Sequence, residues 1–148
     1  MRRIQRAQDK EHLVQTLTTG EDAPFKEIWR LLLFAAAVGQ SRGRREPLKS
    51  VESGKAIPAT IFSSNSNVWP GFQFLMALVE KDDAAILGGA ELLENERLTL
   101  FEEYANGGLS LMQEELEKGS YALDAFLQFM PINPTTPAKG NGLDNVVI

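Results

Sequence analysis

The chain has 148 residues, of which 43% are hydrophobic and 24% are charged. This balance is typical of one folded domain rather than of a disordered chain, and the length allows a core that needs no disulfide to hold it. The sequence contains no cysteine, which excludes disulfides, thiolate metal sites and a cysteine nucleophile. No signal peptide is recognisable, and the longest apolar run, residues 31–38, is too short to span a bilayer. We therefore expect a soluble, cytoplasmic protein with no membrane partner.

The net charge of −5 is unevenly distributed along the chain. Residues 1–58 hold eleven Lys and Arg against seven Asp and Glu, a balance of +4, whereas residues 59–148 hold four against thirteen, a balance of −9. Two explanations are open. The halves attract one another within the fold, or the basic half meets an anionic partner while the acidic half repels stray nucleic acid.

The apolar periodicity predicts a mainly α-helical fold, a compact bundle of five to six helices around a buried central helix. Asp9 is an acceptable N-cap for a first helix that ends near Leu17. The second helix is predicted over residues 25–38, with Gly39 as the residue that ends it, and its apolar side chains surround it almost completely. Residues 40–58 form a loop in this prediction, with one short strand or β-turn near residues 57–62.

Two further helices and a tail are predicted beyond this loop. Residues 70–80 form a helix whose buried face is expected to carry Phe72, Leu75, Met76 and Val79. Residues 121–130 form the last helix, capped by Ser120 and with Leu123, Phe126, Leu127 and Met130 facing inward, and complete a single helical domain over residues 1–130. Residues 131–148 are rich in Pro and Gly and resemble a linker.

The segment from 91 to 118 predicts one long helix. Its apolar stripe, which includes Phe101 and Leu109, continues without a change of phase across Asn106, Gly107 and Gly108. Gly108 lies on this stripe, where a missing side chain allows a neighbouring helix to approach closely. Gly107 lies off the stripe, without an evident packing role, so that its replacement by alanine is expected to be neutral or stabilising.

No catalytic or cofactor-binding arrangement is recognisable. His12 is the only histidine and is expected on the surface. The glutamates of the long helix include Glu103 and Glu114, which share a polar face that is expected to be solvated rather than to hold a metal ion. The Gly-Gly pairs lack the lysine and the spacing of phosphate-binding loops. We expect no cofactor, no metal and no catalytic residue.

A basic run in the loop after the second helix is the best candidate for a binding site. Arg42, Arg44, Arg45 and Lys49 follow a buried helix on a segment that contains glycine, so that they could contact phosphates of a DNA backbone without reading the base sequence. The alternative is that these side chains form salt bridges with the acidic half.

The end of the chain is a second candidate, for binding a protein partner. After the Pro/Gly-rich spacer the chain closes on an apolar tip that contains Leu143, Val146, Val147 and Ile148. Such a tip is too short to form a core by itself, but it could pair with the edge of a partner's sheet or fill a groove.

Several phrases of the sequence resemble one known family. They are residues 24–25 with 33–39, residues 44–48, residues 101–109 with 113–116, and the opening Arg3-Ile4, Ala7 and Asp9-Lys10. Over residues 3–130 the chain is similar to the DNA phosphorothioation-associated protein 4 family, also called Dnd system-associated protein 4. The resemblance does not extend to residues 131–148.

The resemblance implies a role in bacterial systems that replace a non-bridging phosphate oxygen of DNA by sulphur and restrict unmodified foreign DNA. It brings no set of catalytic residues. We therefore expect a non-enzymatic accessory protein of such a phage-defence system, which binds the system's other proteins and also, as an open question, DNA or a second copy of itself. The alternatives are a DNA-binding transcriptional regulator of the same system and a small metal-dependent nuclease.

Overall fold

A computed structural model describes residues 2–119 and 121–130. These residues form six α-helices and a two-stranded antiparallel sheet, which confirms the predicted mainly α-helical class. The elements, in chain order, are β1 (Arg3–Ile4), α1 (Glu11–Thr18), α2 (Ile28–Ser41), β2 (Ile57–Pro58), α3 (Ala59–Asn65), α4 (Trp69–Lys81), α5 (Glu91–Leu116) and α6 (Ala122–Leu127). The division at residue 130 stays a prediction, because the tail lies outside the described residues.

The centre of the fold is the packing of α2 against α5. Leu31 and Leu32 on α2 and Leu98 and Leu109 on α5 are almost completely buried. Because α2 is apolar on nearly every side, it cannot remain at the surface without exposing this area to water. The predicted central helix and the predicted continuity of α5 are both confirmed.

The two helices approach so closely that their main chains touch. A Cβ atom added to Gly108 would lie 1.7 Å from the carbonyl oxygen of Ala35 on α2, and one added to Gly39 would lie 2.1 Å from the carbonyl oxygen of Tyr104 on α5. Neither position has room for any side chain. The predicted close packing at Gly108 is therefore confirmed.

The expectation for Gly107 is wrong. A Cβ atom at this position would lie 1.9 Å from the carbonyl oxygen of Arg44, in the loop that follows α2. That loop crosses the face of α5 that sequence periodicity assigns to solvent. We name the contacts of Gly39, Gly107 and Gly108 the glycine crossing.

The end of α2 also differs from the prediction. Gly39 does not end the helix but lies inside it, and the helix continues to Ser41. Gly43 has a φ of 66° and follows the C-cap residue Arg42, so it takes the left-handed position that commonly ends a helix. At its other end α2 begins at Ile28, three residues later than predicted.

The N-terminal segment crosses the molecule to pair with the segment after the loop. Arg3 pairs with Pro58 and Ile4 with Ile57, which confirms a short strand at the start of the region 57–62. The rest of that region is the helix α3, which was not predicted. A 3₁₀ turn over Gln8–Lys10 precedes α1, so that Asp9 is not its N-cap.

An aromatic cluster joins α3, α4 and α5. The ring centroids of Phe62 and Trp69 are 4.5 Å apart, and those of Trp69 and Phe101 are 4.9 Å apart at a steep angle. Such edge-to-face contacts stabilise a core beyond the area they bury. The cluster fixes which side of α4 faces inward.

The predicted inner face of α4 is confirmed for Met76 and for Phe72, which packs against Phe101, and is wrong for Leu75 and Val79. Met76 is buried, but Leu75 is 63% exposed and Val79 is 64% exposed. The helix instead turns Trp69, Met76 and Ala77 toward the core. The rotation leaves an apolar surface on the outside of the molecule.

Candidate functional site

The basic loop, residues 42–49 between α2 and β2, is held against α2 and α5 by hydrogen bonds to its main chain. The amide of Arg44 donates to the carbonyl oxygen of Gly39 at 2.7 Å, and the amide of Glu46 donates to the carbonyl oxygen of Glu103 at 3.0 Å. The side-chain amide of Asn106 donates to the carbonyl oxygens of Glu46 and Pro47. These bonds hold residues 44–47 in one place, so this part of the loop does not swing freely.

Arg44 and Arg45 are each held between two carboxylates. Arg44 Nε lies 2.6 Å from Glu46 Oε2, and its Nη2 lies 2.7 Å from Glu114 Oε2. The hydrogen bond to Glu46, followed by that to Glu114, raises the pKa of Arg44. This arginine of the basic half is thus paired with the acidic half through Glu114.

Arg45 makes the equivalent connection one residue later. Its Nε lies 2.7 Å from Glu103 Oε1 and its Nη1 lies 3.0 Å from Glu80 Oε2. Partial burial acts to lower the pKa of Arg45, but the hydrogen bond and the charge of Glu103, with the charge of Glu80, outweigh it and raise the pKa. Glu80 also accepts a hydrogen bond from the hydroxyl of Tyr104, and burial together with this bond raises the pKa of Tyr104 to about 12.

Arg42 and Lys49 have different surroundings. Arg42 is exposed, donates to the carbonyl oxygen of Gln128 at 3.2 Å, and places its guanidinium 5.0 Å from the ring centroid of Phe129. Lys49 is exposed and forms no ion pair with any residue in the described ranges. The structure therefore does not gather the four basic residues into one group, because two pair with carboxylates and Arg42 turns toward the end of α6.

A buried polar network beneath the loop was not predicted. Lys10 is 6% exposed, and its Nζ atom donates to Asn106 Oδ1 at 3.0 Å and lies 3.9 Å from Glu46 Oε1. Burial acts to raise the pKa of Glu46, but hydrogen bonds from Ser110 and Arg44 and the charge of Lys10 lower it overall. The only feature of the sequence that pointed to this network was the polar residue Asn106 within an apolar stretch.

The N-terminal arginines also have internal partners. Arg2 Nη1 lies 2.8 Å from Glu102 Oε2, and Glu102 is 7% exposed. Arg6 is buried and forms two hydrogen bonds with Glu11, of 2.8 and 3.1 Å. These bonds lower the pKa of Glu11 to about 2 against the opposing effect of burial. Neither pairing was predicted from the sequence.

The carboxylates considered for metal binding are engaged with cations instead. Glu103 and Glu114 accept from Arg45 and Arg44 respectively, and His12 is exposed. Within residues 2–119 and 121–130, no three His, Cys, Asp or Glu side chains come together in a way that could hold a metal ion. No helix in this part of the chain has both the length and the hydrophobicity that crossing a bilayer requires.

The last helix carries an apolar outer surface. The predicted inward face of this helix is wrong except at Phe126. Leu123 is 64% exposed and Leu127 is 52% exposed, with Tyr121 and Met130 also exposed at the two ends. On the inner side, Phe126 packs against Phe25 and Phe34. We name Tyr121, Leu123, Leu127 and Met130 the α6 surface. The predicted partner-binding residues Leu143, Val146, Val147 and Ile148 follow it in the chain and lie outside the described residues.

These features define a small, mainly helical protein whose charged side chains largely pair with one another and whose apolar side chains partly remain outside. The chain belongs to the family of DNA sulphur modification system-associated protein 4, whose model matches residues 3–141. This match confirms the resemblance found in the sequence and extends into the tail, which the resemblance excluded. Comparison with curated proteins and with solved structures gave no match.

Proposed function

We propose that the chain is an accessory protein of a DNA sulphur modification system and acts by binding the system's other proteins. Membership of the family supports the association with such a system. The observation that supports this binding role is the α6 surface. Its large apolar side chains are exposed to solvent, on a helix whose inner side packs against the core through Phe126. Leucine, methionine and tyrosine side chains grouped in this way are typical of protein interfaces.

The tail extends this proposed interface. It follows the α6 surface in the sequence, and its apolar tip, Leu143 with Val146, Val147 and Ile148, has the same chemistry as that surface. A helix and a following apolar segment can together occupy a groove on a partner, with the spacer allowing the two parts to bind separate pockets.

Affinity purification of the tagged full chain from its native host tests this proposal. We expect proteins of the DNA sulphur modification system to co-elute with the wild-type chain, and to be lost from the double variant Leu123→Asp/Leu127→Asp. The control is Leu92→Asp, because Leu92 is 75% exposed but lies at the start of α5. Co-eluting proteins that have no connection with DNA modification would contradict the function, and a double variant that retains all partners would contradict the surface.

Removal of residues 134–148 examines the tail separately. The melting temperature of the shortened chain should stay nearly unchanged, while its co-elution with partners weakens. A large fall in melting temperature would show that the tail stabilises its own domain instead.

Contact with the DNA backbone is a second candidate function. Arg42 and Lys49 favour it, since both are exposed and neither forms an ion pair among the described residues. Arg44 and Arg45 would have to exchange their carboxylate partners for phosphates, and the glutamates left behind would repel the DNA. Any such contact is therefore expected to be weak in the isolated protein.

A further inference from the structure

The outer face of α4 and its N-cap residue carry an apolar stripe that the rest of the described chain covers only in part. Val68 is 64% exposed, Leu75 is 63% exposed and Val79 is 64% exposed, while Phe72 between them is half-buried because one side of its ring packs against Phe101. We name these four residues the α4 stripe. Single exposed apolar residues are ordinary, but three exposed residues and one half-buried residue in line along one side of a helix are a feature of surfaces that bind another protein.

The spacing of the stripe fits a second helix. Successive members are four, three and four residues apart, which is the alternation of the two apolar positions in a heptad. Side chains at these positions form a narrow seam on one side of a helix. A helix with the same seam can pack against it at a small crossing angle.

The same spacing reads identically in both directions along the helix. In an antiparallel pair related by a two-fold axis, Val68 therefore faces Val79 of the second copy, and Phe72 faces Leu75 of the second copy. Each position meets a residue that fits it, with valines at both ends and the two larger side chains at the centre. A seam with unequal spacing would not be self-complementary in this way.

The charges at the two ends of α4 are also complementary in this arrangement. The helix begins at Trp69, and its N-cap residue Val68 has no side chain able to accept a hydrogen bond, so the amide of Gly71 in the first turn has no side-chain acceptor. The helix ends at Lys81, whose charge is paired with Glu96, and the next two residues, Asp82 and Asp83, are exposed and form no ion pair in the described part of the chain. An antiparallel pair brings each acidic end to the positive N-terminal end of the other helix, an attraction that a parallel pair lacks.

We propose that two copies of this chain associate through their α4 stripes, antiparallel, about a two-fold axis that passes between Phe72 and Leu75. We expect the α4 stripe to bind a second copy of the chain, because the palindromic spacing and the charges at the two helix ends both belong to α4 itself. A different protein or the tail of the same chain could supply apolar residues, but neither would account for this symmetry.

Molar mass in solution, measured by light scattering over a range of concentrations, tests the association. We expect the mass of two chains for the wild-type protein and of one chain for Leu75→Asp, with the helical circular dichroism unchanged because Leu75 makes little contact within its own chain. The control is Val51→Asp, since Val51 is 41% exposed in the loop between α2 and β2 and lies on neither α4 nor α6. A wild-type chain that has the mass of one chain throughout, or a Leu75→Asp chain that still has the mass of two, would overturn the proposal.

Cysteine cross-linking tests the antiparallel geometry, which is straightforward because the chain has no cysteine of its own. Val68→Cys and Val79→Cys proteins are prepared separately, then mixed and oxidised. We expect a disulfide between the two variants in the mixture and none in either variant alone, because like positions lie about 16 Å apart across the axis, beyond the reach of a disulfide. Cross-linking of Val68→Cys to itself, or no cross-linking in the mixture, would show that the helices do not pair in this way.

Discussion

Three cations in the described part of the chain are buried, and each donates hydrogen bonds to a different kind of partner. Arg6 is held by the carboxylate of Glu11, and Lys10 by the amide oxygen of Asn106. Arg97, which is 6% exposed, donates to the carbonyl oxygens of Ile86 and Gly88. A buried charge is tolerated only while its partners remain, so removing one partner costs more than the pair contributes.

The pairing of Arg6 with Glu11 makes stability depend on pH. The pKa of Glu11 is about 2 in the folded chain and near 4.5 when the group is free, so the ionised carboxylate stabilises the fold above about pH 4.5. This contribution, about 3 kcal/mol at most, is lost as the pH falls from 4.5 toward 2. Glu11→Gln should lower the free energy of unfolding at neutral pH and flatten its decline in this acidic window.

Denaturant titrations at several pH values measure this difference. The control is Glu27→Gln, because Glu27 forms a hydrogen-bonded pair with Arg30 that is fully exposed, and such pairs contribute little. If Glu11→Gln and the wild type lose stability in parallel between pH 4.5 and 2, Glu11 is not the group responsible.

At the scale of the elements, the glycine crossing determines how α2, α5 and the basic loop fit together. Gly39 and Gly108 let the helices touch, and Gly107 lets the loop lie on α5. Because the atoms that would clash belong to the main chain, a new side chain cannot be accommodated by a change of rotamer. The helices or the loop would have to move apart.

Alanine substitutions at the glycines distinguish the effect of close packing on stability from the effect of helix propensity. Gly107→Ala and Gly108→Ala should each destabilise the fold by about 1–3 kcal/mol or more, although alanine is the better helix former. Gly71 is the matched control, since it lies in the first turn of α4 with no atom within 4 Å of an added Cβ. Gly71→Ala should be neutral or stabilising by up to about 1 kcal/mol.

Thermal unfolding of the three variants gives the comparison. A Gly107→Ala protein as stable as the wild type would mean that the loop does not rest on α5. If Gly71→Ala and Gly108→Ala lowered the melting temperature equally, the cause would be the general effect of replacing a helical glycine and not the close contact at the glycine crossing.

The elements show which kinds of structure the sequence could predict. The unbroken phase of the apolar residues predicted the length of α5, and the position of Gly108 in that phase predicted its packing. The role of Gly107 could not be predicted in this way, because periodicity describes one helix and the loop that covers Gly107 comes from another part of the chain. For α4 the pattern indicated an apolar face, but the aromatic cluster with Trp69 turns a different face inward.

The candidate site was predictable to a similar extent. The run of basic residues was visible in the sequence, and the uneven charge of the two halves suggested internal pairing as one explanation. The particular partners of Arg44 and Arg45 were not visible, since they depend on how the loop crosses α5 and α4. Likewise, nothing in the local sequence showed that Lys10 and Asn106 would meet.

At the scale of the whole molecule, opposite charges connect the two halves of the chain. Arg2, Arg44 and Arg45 from the basic half reach Glu102, Glu114 and the pair Glu80 and Glu103 in the acidic half. Several of these pairs are partly exposed, so each contributes modestly and is weakened by salt. Together they also neutralise glutamates that would otherwise repel one another on α5.

Two double variants distinguish internal pairing from DNA contact. Arg44→Ser/Arg45→Ser should destabilise the fold by about 1–3 kcal/mol, taking roughly 0.2–1 kcal/mol for each broken pair, and the difference from wild type should shrink as salt is added. Arg42→Ser/Lys49→Ser should leave the melting temperature unchanged. If the chain contacts a DNA backbone, the second variant should bind duplexes of unrelated sequence more weakly, with a salt dependence shallower by about 1.8.

Thermal unfolding and duplex titrations at several salt concentrations measure both effects. If Arg44→Ser/Arg45→Ser is as stable as the wild type but binds all duplexes more weakly, these arginines contact DNA and do not stabilise the fold. Equal DNA affinity in all three proteins would remove backbone contact as a function of these residues.

The glycine crossing also constrains how this sequence can drift over evolutionary time. A relative that acquires a side chain at position 39, 107 or 108 cannot be rescued by a smaller residue opposite, because the obstructing atoms are the main-chain carbonyls of Tyr104, Arg44 and Ala35. Compensation would require a helix or the loop to be rebuilt. Family members that keep this crossing should therefore retain all three glycines as a set, and members that have lost one should have lost the others. Such linked retention, between positions far apart in the chain, would identify the fold in distant homologues more reliably than their apolar pattern.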